Sequence, residues 1–240
     1  MKRCVIPISG GMDSTVILYS VAKSNKFDEI YTLSFDYNQR HIRELEFATY
    51  HAKALDTIHK TIDVSFIRDI APTSSLTNDN IDVAKTKDVL GDPQTVNYVP
   101  FRNMIFLSIC SSYAESVQAD TVFHGAAQVD TQAGYWDGSK EFLNSINNIN
   151  SLNRRQVVTI EAPLLHLSKK DIIELGVNNN VDFAKTHTCY SGNEKADAQN
   201  PACAARIKGF IDAGYIDPVK YKQKIPWKTY GCSRMPKSIT

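Results

Sequence analysis

The chain has 240 residues, of which 42% are hydrophobic and 22% are charged, a composition typical of globular proteins rather than disordered chains. Lys and Arg number 27 against 26 Asp and Glu, and this net charge of +1 provides no broad basic surface for a nucleic-acid backbone. No apolar run reaches the ~18 residues that a membrane span needs, and the apolar stretch near Met1 is too short for a signal peptide. We therefore expect a cytoplasmic protein with no membrane partner.

The cysteine pattern favours the same compartment. The five cysteines are scattered along the chain, at Cys4, Cys110, Cys189, Cys203 and Cys232. An odd, scattered set differs from the paired framework of small secreted proteins. A chain of this length buries roughly 70–75% of its unfolded surface, so its core needs no disulfide bonds.

Short β-rich runs alternate with longer helical patterns over the first two thirds of the chain. The patterns predict strands at 4–8, 29–35, 57–64, 121–124 and 156–160, and helices at 12–23, 42–55 and 104–117. Ser168 and Asp171 have the spacing of a capping box that opens one more helix, ending near Gly176. This alternation predicts an α/β fold, a parallel doubly wound sheet of about five strands.

The alternation stops near Val181, beyond which lie three of the five cysteines. We therefore predict an α/β domain at 1–180 and an irregular C-terminal extension at 181–240 that packs on it. The polar stretch 74–97, interrupted by glycine and proline, predicts a long loop over the edge of the sheet. The segment 125–138 is also weakly patterned.

The most informative motif, Ser9-Gly10-Gly11-Met12-Asp13-Ser14, lies between the first predicted strand and the first predicted helix. Two glycines permit a tight turn, and the start of a helix presents unpaired N–H groups and the positive end of its dipole. An anion such as a phosphate group suits this position. The motif is neither GxGxxG nor GxxxxGK[ST], which disfavours a dinucleotide fold and a Walker-type loop.

These residues resemble the SGGxDS signature of the PP-loop ATP pyrophosphatases, which cleave ATP between its α- and β-phosphates. Residues 35–41 (FDYNQRH) are similar to the FDYGQRH block of one branch, the 7-cyano-7-deazaguanine synthase (QueC-like) family. Further similar blocks follow in the family's order, at 99–103 (VPFRN), 161–164 (EAPL), 188–190 (TCY), Arg206, 208–210 (KGF) and 214–218 (GYIDP). The resemblance runs from Met1 to about Tyr221.

The resemblance implies a reaction and a set of site residues. ATP and Mg²⁺ would act on 7-carboxy-7-deazaguanine and ammonia, with adenylation of the carboxylate, formation of an amide, and a second adenylation that permits elimination to the nitrile. The implied ATP-binding residues are Ile8, Ser9, Gly10, Gly11, Met12, Asp13, Ser14, Thr15 and Asp36. The implied substrate-binding residues are Arg40, Arg102, Asn103, Asp130 and Tyr135. The sequence assigns no general base.

The chain departs from the family at its zinc site. The family pattern CxxxxxxxCxxCxxC falls here on Cys189, Asp197, Asn200 and Cys203, so two of the four thiolates are missing. A neutral asparagine is a poor zinc ligand. Two alternatives remain: a rearranged site in which His187, Asp197 or Cys232 joins Cys189 and Cys203, or a metal-free extension held by other contacts, which the sequence favours.

Two further departures lie near the expected substrate. The family's DxSGYPDCRxEF block falls on 130–142, where one residue is added and Trp136, Asp137, Gly138 and Ser139 replace the PDCR stretch. The change removes an arginine that could bind an anion. Asn38 and Phe101 replace two family glycines. Such clustered changes suggest an altered acceptor.

Three functions are therefore compared. The first is the nitrile-forming synthase. The second is a ligase that stops at an amide and joins the deazaguanine carboxylate to another amine, which could belong to a protein or a nucleic acid. The third is a non-catalytic nucleotide-binding module, which the intact segments Ser9–Ser14 and Asp36–Arg40 disfavour. A homodimer would be ordinary for the family.

Overall fold

The computed structural model describes residues 1–38, 42–83, 85, 96–128, 130, 135–189 and 195–237. In this part of the chain, one sheet contains five parallel strands in the order β3-β2-β1-β4-β5. The strands are β1 (Arg3–Pro7), β2 (Glu29–Asp36), β3 (Ile58–Asp63), β4 (Thr121–Phe123) and β5 (Thr159–Glu161). The predicted fold class is confirmed.

The helices of the described residues are α1 (Met12–Ser24), α2 (Ile42–Ala54), α3 (Ile67–Ile70), α4 (Arg102–Ser116), α5 (Lys140–Asn150), α6 (Lys169–Asn178) and α7 (Pro201–Asp212). The predicted capping box is present at the start of α6, where Ser168 and Asp171 each accept the other's backbone N–H. Helix α7 lies in the segment for which the sequence predicted no regular element. Asn200 caps it, accepting from the backbone N–H of Cys203.

Strand β1 shows why the sheet is covered on both faces. Cys4 and Ile6 are buried in one hydrophobic cluster with residues of α1, α6 and α7, whereas Val5 is buried in a second cluster with residues of α4 and α5. Successive side chains of a strand point to opposite faces, so a continuous apolar run places one cluster on each side.

The C-terminal extension contributes to the first of these clusters. Phe183 and Phe210 are almost completely buried and pack edge to face, with ring centroids 5.4 Å apart. Gly176 of α6 permits this approach, because a Cβ there would lie 2.4 Å from the Phe183 ring. Residues beyond 181 therefore help to cover the sheet.

All five cysteines are free and buried. This agrees with the expectation that the core needs no disulfide bonds. Within the residues that the structure describes, no helix has both the length and the apolar character needed to cross a membrane.

Candidate active site

The loop at 9–14, which we call the phosphate loop, connects the carboxyl end of β1 to α1. Gly10 has φ +72°, and a Cβ at this position would lie 2.2 Å from the backbone oxygen of Glu44 in α2. Only glycine fits both the left-handed backbone and this close contact. The sheet and α2 together therefore fix the turn of the loop.

Hydroxyl groups hold the loop from inside. Ser9 Oγ lies 3.2 Å from Ser14 Oγ and accepts from the backbone N–H of Gly11 at 3.2 Å. Ser14 Oγ also accepts from the backbone N–H of Ser9. Thr15, which is buried, donates its hydroxyl to the Gly11 carbonyl at 2.8 Å. Ser9 and Ser14 thus shape the loop through these hydrogen bonds.

The start of α1 is suited to an anion. Gly11 is the N-cap residue and has no side chain with which to cap the helix, so the first N–H groups of the helix remain available to a ligand. Ile8 and Met12 are 1% and 2% exposed, with their side chains in the core. Their contacts with ATP could come only from backbone atoms.

A lysine that the sequence analysis did not single out lies beside the loop. Lys169, the first residue of α6, donates from Nζ to Asp13 Oδ2 at 2.6 Å. The other oxygen of this carboxylate, Asp13 Oδ1, is buried and has no hydrogen-bond partner among the described residues. The pair places a cation and an incompletely satisfied carboxylate oxygen at the start of α1. The capping box predicted that Lys169 lies at the start of a helix. It could not predict the contact with Asp13, which lies 156 residues earlier in the sequence.

Asp130 belongs to the same group of charges. Its Oδ2 accepts from the backbone N–H of Ala127 at 2.9 Å. Burial raises the pKa of Asp130, with a further increase from Asp13 and an opposing effect of the Lys169 ammonium group. Asp130, which was predicted to bind substrate, therefore lies near the phosphate loop.

Asp36 ends β2, the strand next to β1. Its Oδ1 accepts from the backbone N–H of Asn38 at 2.9 Å, which turns the chain immediately after the strand. Asn38 has φ +54°, at a position where the family has glycine. Asparagine adopts this left-handed conformation more readily than most residues.

A second polar group surrounds the start of α4. Arg102 forms a side-chain hydrogen bond with Tyr37 and lies near Glu44. Burial raises the pKa of Glu44 to about 8, although Arg102 opposes the shift. Asn103 is half-buried in the same first turn. Arg40, the other predicted substrate-binding arginine, lies outside the described residues.

An aromatic group links the two segments that depart from the family pattern. Trp136 donates from Nε1 to the hydroxyl of Tyr98 at 2.9 Å, and its ring contacts that of Phe101 edge to face with centroids 5.2 Å apart. Tyr135 stacks on Tyr98. Phe101 has φ +54° and is 53% exposed. Phenylalanine at position 101, where the family has glycine, thus provides the ring that contacts Trp136.

The four positions of the family's zinc site are adjacent in space. One ligand atom each from Cys189, Asp197 and Cys203 lies within 4.8 Å of the others, close enough to share an ion. The fourth residue, Asn200, directs its amide nitrogen at Cys189 Sγ and Asp197 Oδ1. An amide N–H is a donor and offers no lone pair to a cation. The residues present therefore do not fit a four-ligand zinc site.

Comparisons with known proteins identify the family. The family model described as "Queuosine biosynthesis protein QueC" matches residues 3–214. A 7-cyano-7-deazaguanine synthase of Caldicellulosiruptor saccharolyticus is 42% identical over 228 residues, which cover 94% of this chain and 98% of the relative. The chain belongs to the 7-cyano-7-deazaguanine synthase (QueC) family. A further synthase of this name, from Thermoplasma volcanium, is 40% identical and is aligned over 92% of each chain.

The fold is shared more widely than the QueC family. NMN synthetase from Francisella tularensis superposes with a TM-score of 0.50 at 15% identity, over 95% of this chain and 83% of that one. This similarity concerns the fold alone. The family resemblance drawn from the sequence motifs is confirmed.

Proposed function

We propose that this protein converts 7-carboxy-7-deazaguanine and ammonia to 7-cyano-7-deazaguanine with consumption of ATP. The observation that carries this proposal is the phosphate loop, complete in sequence and correctly placed between β1 and α1, in a chain of the QueC family. Two synthase relatives aligned over nearly their whole length support it.

ATP would bind with its phosphates at the start of α1. The N–H groups of the first turn of α1 supply donors together with the positive end of the helix dipole. Lys169 adds a positive charge beside Asp13. These N–H groups and Lys169 would mainly stabilise the negative charge on the departing pyrophosphate.

The residues near the loop also fit Mg²⁺, which prefers carboxylate oxygens and phosphates. Among the described residues, Asp13 Oδ1, which has no hydrogen-bond partner there, is the group that fits it best, with the Asp130 carboxylate nearby. When bound, Mg²⁺ would neutralise charge on the phosphates. Lys169 would then hold Asp13 in position through Oδ2.

The carboxylate of the deazaguanine would be activated in two rounds. In the first, its oxygen attacks the α-phosphorus of ATP, pyrophosphate leaves, and ammonia then displaces AMP to give the amide. In the second, the amide oxygen attacks the α-phosphorus of a second ATP, pyrophosphate leaves, and loss of AMP and of the two amide N–H protons gives the nitrile. Arg102 is the described cation best suited to orient the substrate, because a guanidinium binds planar oxygen groups through two parallel hydrogen bonds.

The test uses purified protein with ATP, Mg²⁺, 7-carboxy-7-deazaguanine and ¹⁵N-labelled ammonium, followed by mass spectrometry. The expected product is the nitrile carrying one ¹⁵N. Accumulation of an amide or another adduct with no nitrile would instead support a ligase that stops after one adenylation. Absence of AMP with every deazaguanine substrate would refute both enzymatic functions.

A further inference from the structure

The four residues at the family's zinc positions form a connected hydrogen-bonded group, which we call the Asn200 cluster: Cys189, Asp197, Asn200 and Cys203. Cys189, Asn200 and Cys203 are each 1% exposed, and Asp197 is half-buried. The partly and fully apolar side chains of Ala196, Val219 and Tyr221 pack against the cysteines. Buried polar groups that are shielded from solvent need hydrogen-bond partners within the protein.

The orientation of the Asn200 amide follows from its contacts. Its Oδ1 accepts from the backbone N–H of Cys203 at 3.0 Å, as the N-cap of α7. A backbone N–H can only donate, so this atom must be the oxygen and the other must be the nitrogen. The amide nitrogen therefore faces the interior of the cluster.

That nitrogen serves the residues that would otherwise bind a metal ion. Asn200 Nδ2 lies 3.3 Å from Cys189 Sγ and 3.0 Å from Asp197 Oδ1. Cys189 Sγ also accepts from the backbone N–H of Asp197 at 3.4 Å. Asp197 Oδ1 accepts in addition from the backbone N–H groups of Gln199 and Asn200. The lone pairs at the centre of the cluster already have hydrogen-bond donors.

We propose that Asn200 takes the structural place of the zinc ion, so that the C-terminal extension of this chain folds without metal. The polarised hydrogens of one neutral amide replace the cation at the centre of the cluster, and its oxygen caps α7. Cys189 is thereby held to the start of α7 by hydrogen bonds. This inference concerns the fold of the extension and does not depend on the proposed reaction.

The direct test measures metal on the untagged full-length protein, expressed in zinc-supplemented medium and purified without chelator. Elemental analysis should find far less than one zinc per chain, and a strong chelator should leave the melting temperature unchanged. About one zinc per chain, with a melting temperature that falls on chelation, would overturn the proposal.

Two substitutions at one position separate the cluster from the helix cap. Asn200→Asp keeps an oxygen that can cap α7, since Asp and Asn are equally good caps, but it removes both amide donors. Asn200→Ala removes the cap as well. We expect both variants to melt at lower temperature than the wild type without added metal. A melting temperature of Asn200→Asp equal to that of the wild type would show that the amide donors hold nothing and would overturn the proposal.

The matched gain-of-site variant is the double substitution Asp197→Cys with Asn200→Cys. Four thiolates at these positions are expected to bind one zinc per chain, and the melting temperature of the variant should then depend on chelator. The wild type, treated in parallel, should show neither effect. A folded double variant that binds no zinc would show that the four positions do not enclose a metal-sized space, contrary to the proposal.

Discussion

Lys169 Nζ lies 2.6 Å from Asp13 Oδ2 and thereby joins the start of α6 to the start of α1. Both residues are partly buried, with side chains 16% and 29% exposed. The two helix N-termini direct positive dipole ends toward their first turns, where Asp13 is favoured and the lysine is not. Because a positive charge at the start of α6 does not stabilise that helix, the position of Lys169 suggests that it interacts with an anion.

Removal of the Lys169 charge should therefore impair the reaction more than the fold. Lys169→Ala keeps the Cβ that contacts Gly209 and should lower kcat/KM for ATP by about 10²-fold, the effect of losing one donor to developing charge. Pyrophosphate release measures the rate. Lys170→Ala is the matched control, because Lys170 is 48% exposed and pairs only loosely with Glu174. Equal losses in the two variants would contradict the assigned role.

The backbone of Phe101 is strained. A non-glycine residue in the left-handed region costs roughly 1 kcal/mol, so Phe101→Gly should be more stable than Phe101→Ala by about that amount. Urea unfolding measures the difference. At Met104, three residues later and inside α4, the order should reverse, since alanine stabilises a helix interior by ~1 kcal/mol over glycine. If alanine were more stable than glycine at both positions, the backbone of Phe101 would not be strained.

Arg206 and Asp217 form a buried ion pair, with side chains 2% and 0% exposed and Nε 2.7 Å from Oδ2. Asp217→Asn leaves the guanidinium buried without its charge partner and should cost about 3–5 kcal/mol of unfolding free energy. Asp212→Asn, which breaks the exposed Lys208 pair on the same helix, should cost less than ~1 kcal/mol. Denaturant titration of both variants measures the loss of unfolding free energy. A similarly small loss at the two sites would contradict the prediction.

The carboxyl group of Glu44 predicts a specific pH dependence of stability. Its pKa in the folded protein is raised to about 8, so folding favours the protonated form. The stability that this group contributes is present at low pH and is lost as the pH rises from about 4.5 through about 8. Glu44→Gln should flatten the melting temperature across this window, whereas Glu46→Gln, at an exposed position of the same helix, should not. A Glu44→Gln profile parallel to the wild type would argue against the shift.

The local sequence pattern predicted those elements whose residues reflect burial or helix capping. The buried run of Cys4, Val5 and Ile6 predicted β1, and Ser168 with Asp171 predicted the start of α6. Helix α7 was missed because two of its four buried positions are Arg206 and Gly209, which interrupt the apolar pattern, although Asn200 followed by Pro201 is a typical helix start.

The candidate site was predicted in part. The phosphate loop lies within six consecutive residues, so motif and location could be deduced together. The contact of Lys169 with Asp13 and the position of Glu44 beneath Gly10 depend on how the helices pack, which local sequence does not specify. At the Asn200 cluster, the sequence revealed the lost thiolates, but only the Cys203 N–H determines which way the amide faces.

The ratio of AMP released to nitrile formed tests the proposed reaction most directly. It would be measured on one reaction mixture at saturating ATP and ammonium, with both products quantified by mass spectrometry as the deazaguanine carboxylate is consumed. Two adenylations by one site predict two AMP per nitrile. One AMP per molecule of substrate consumed, with an amide as the final product, would contradict it.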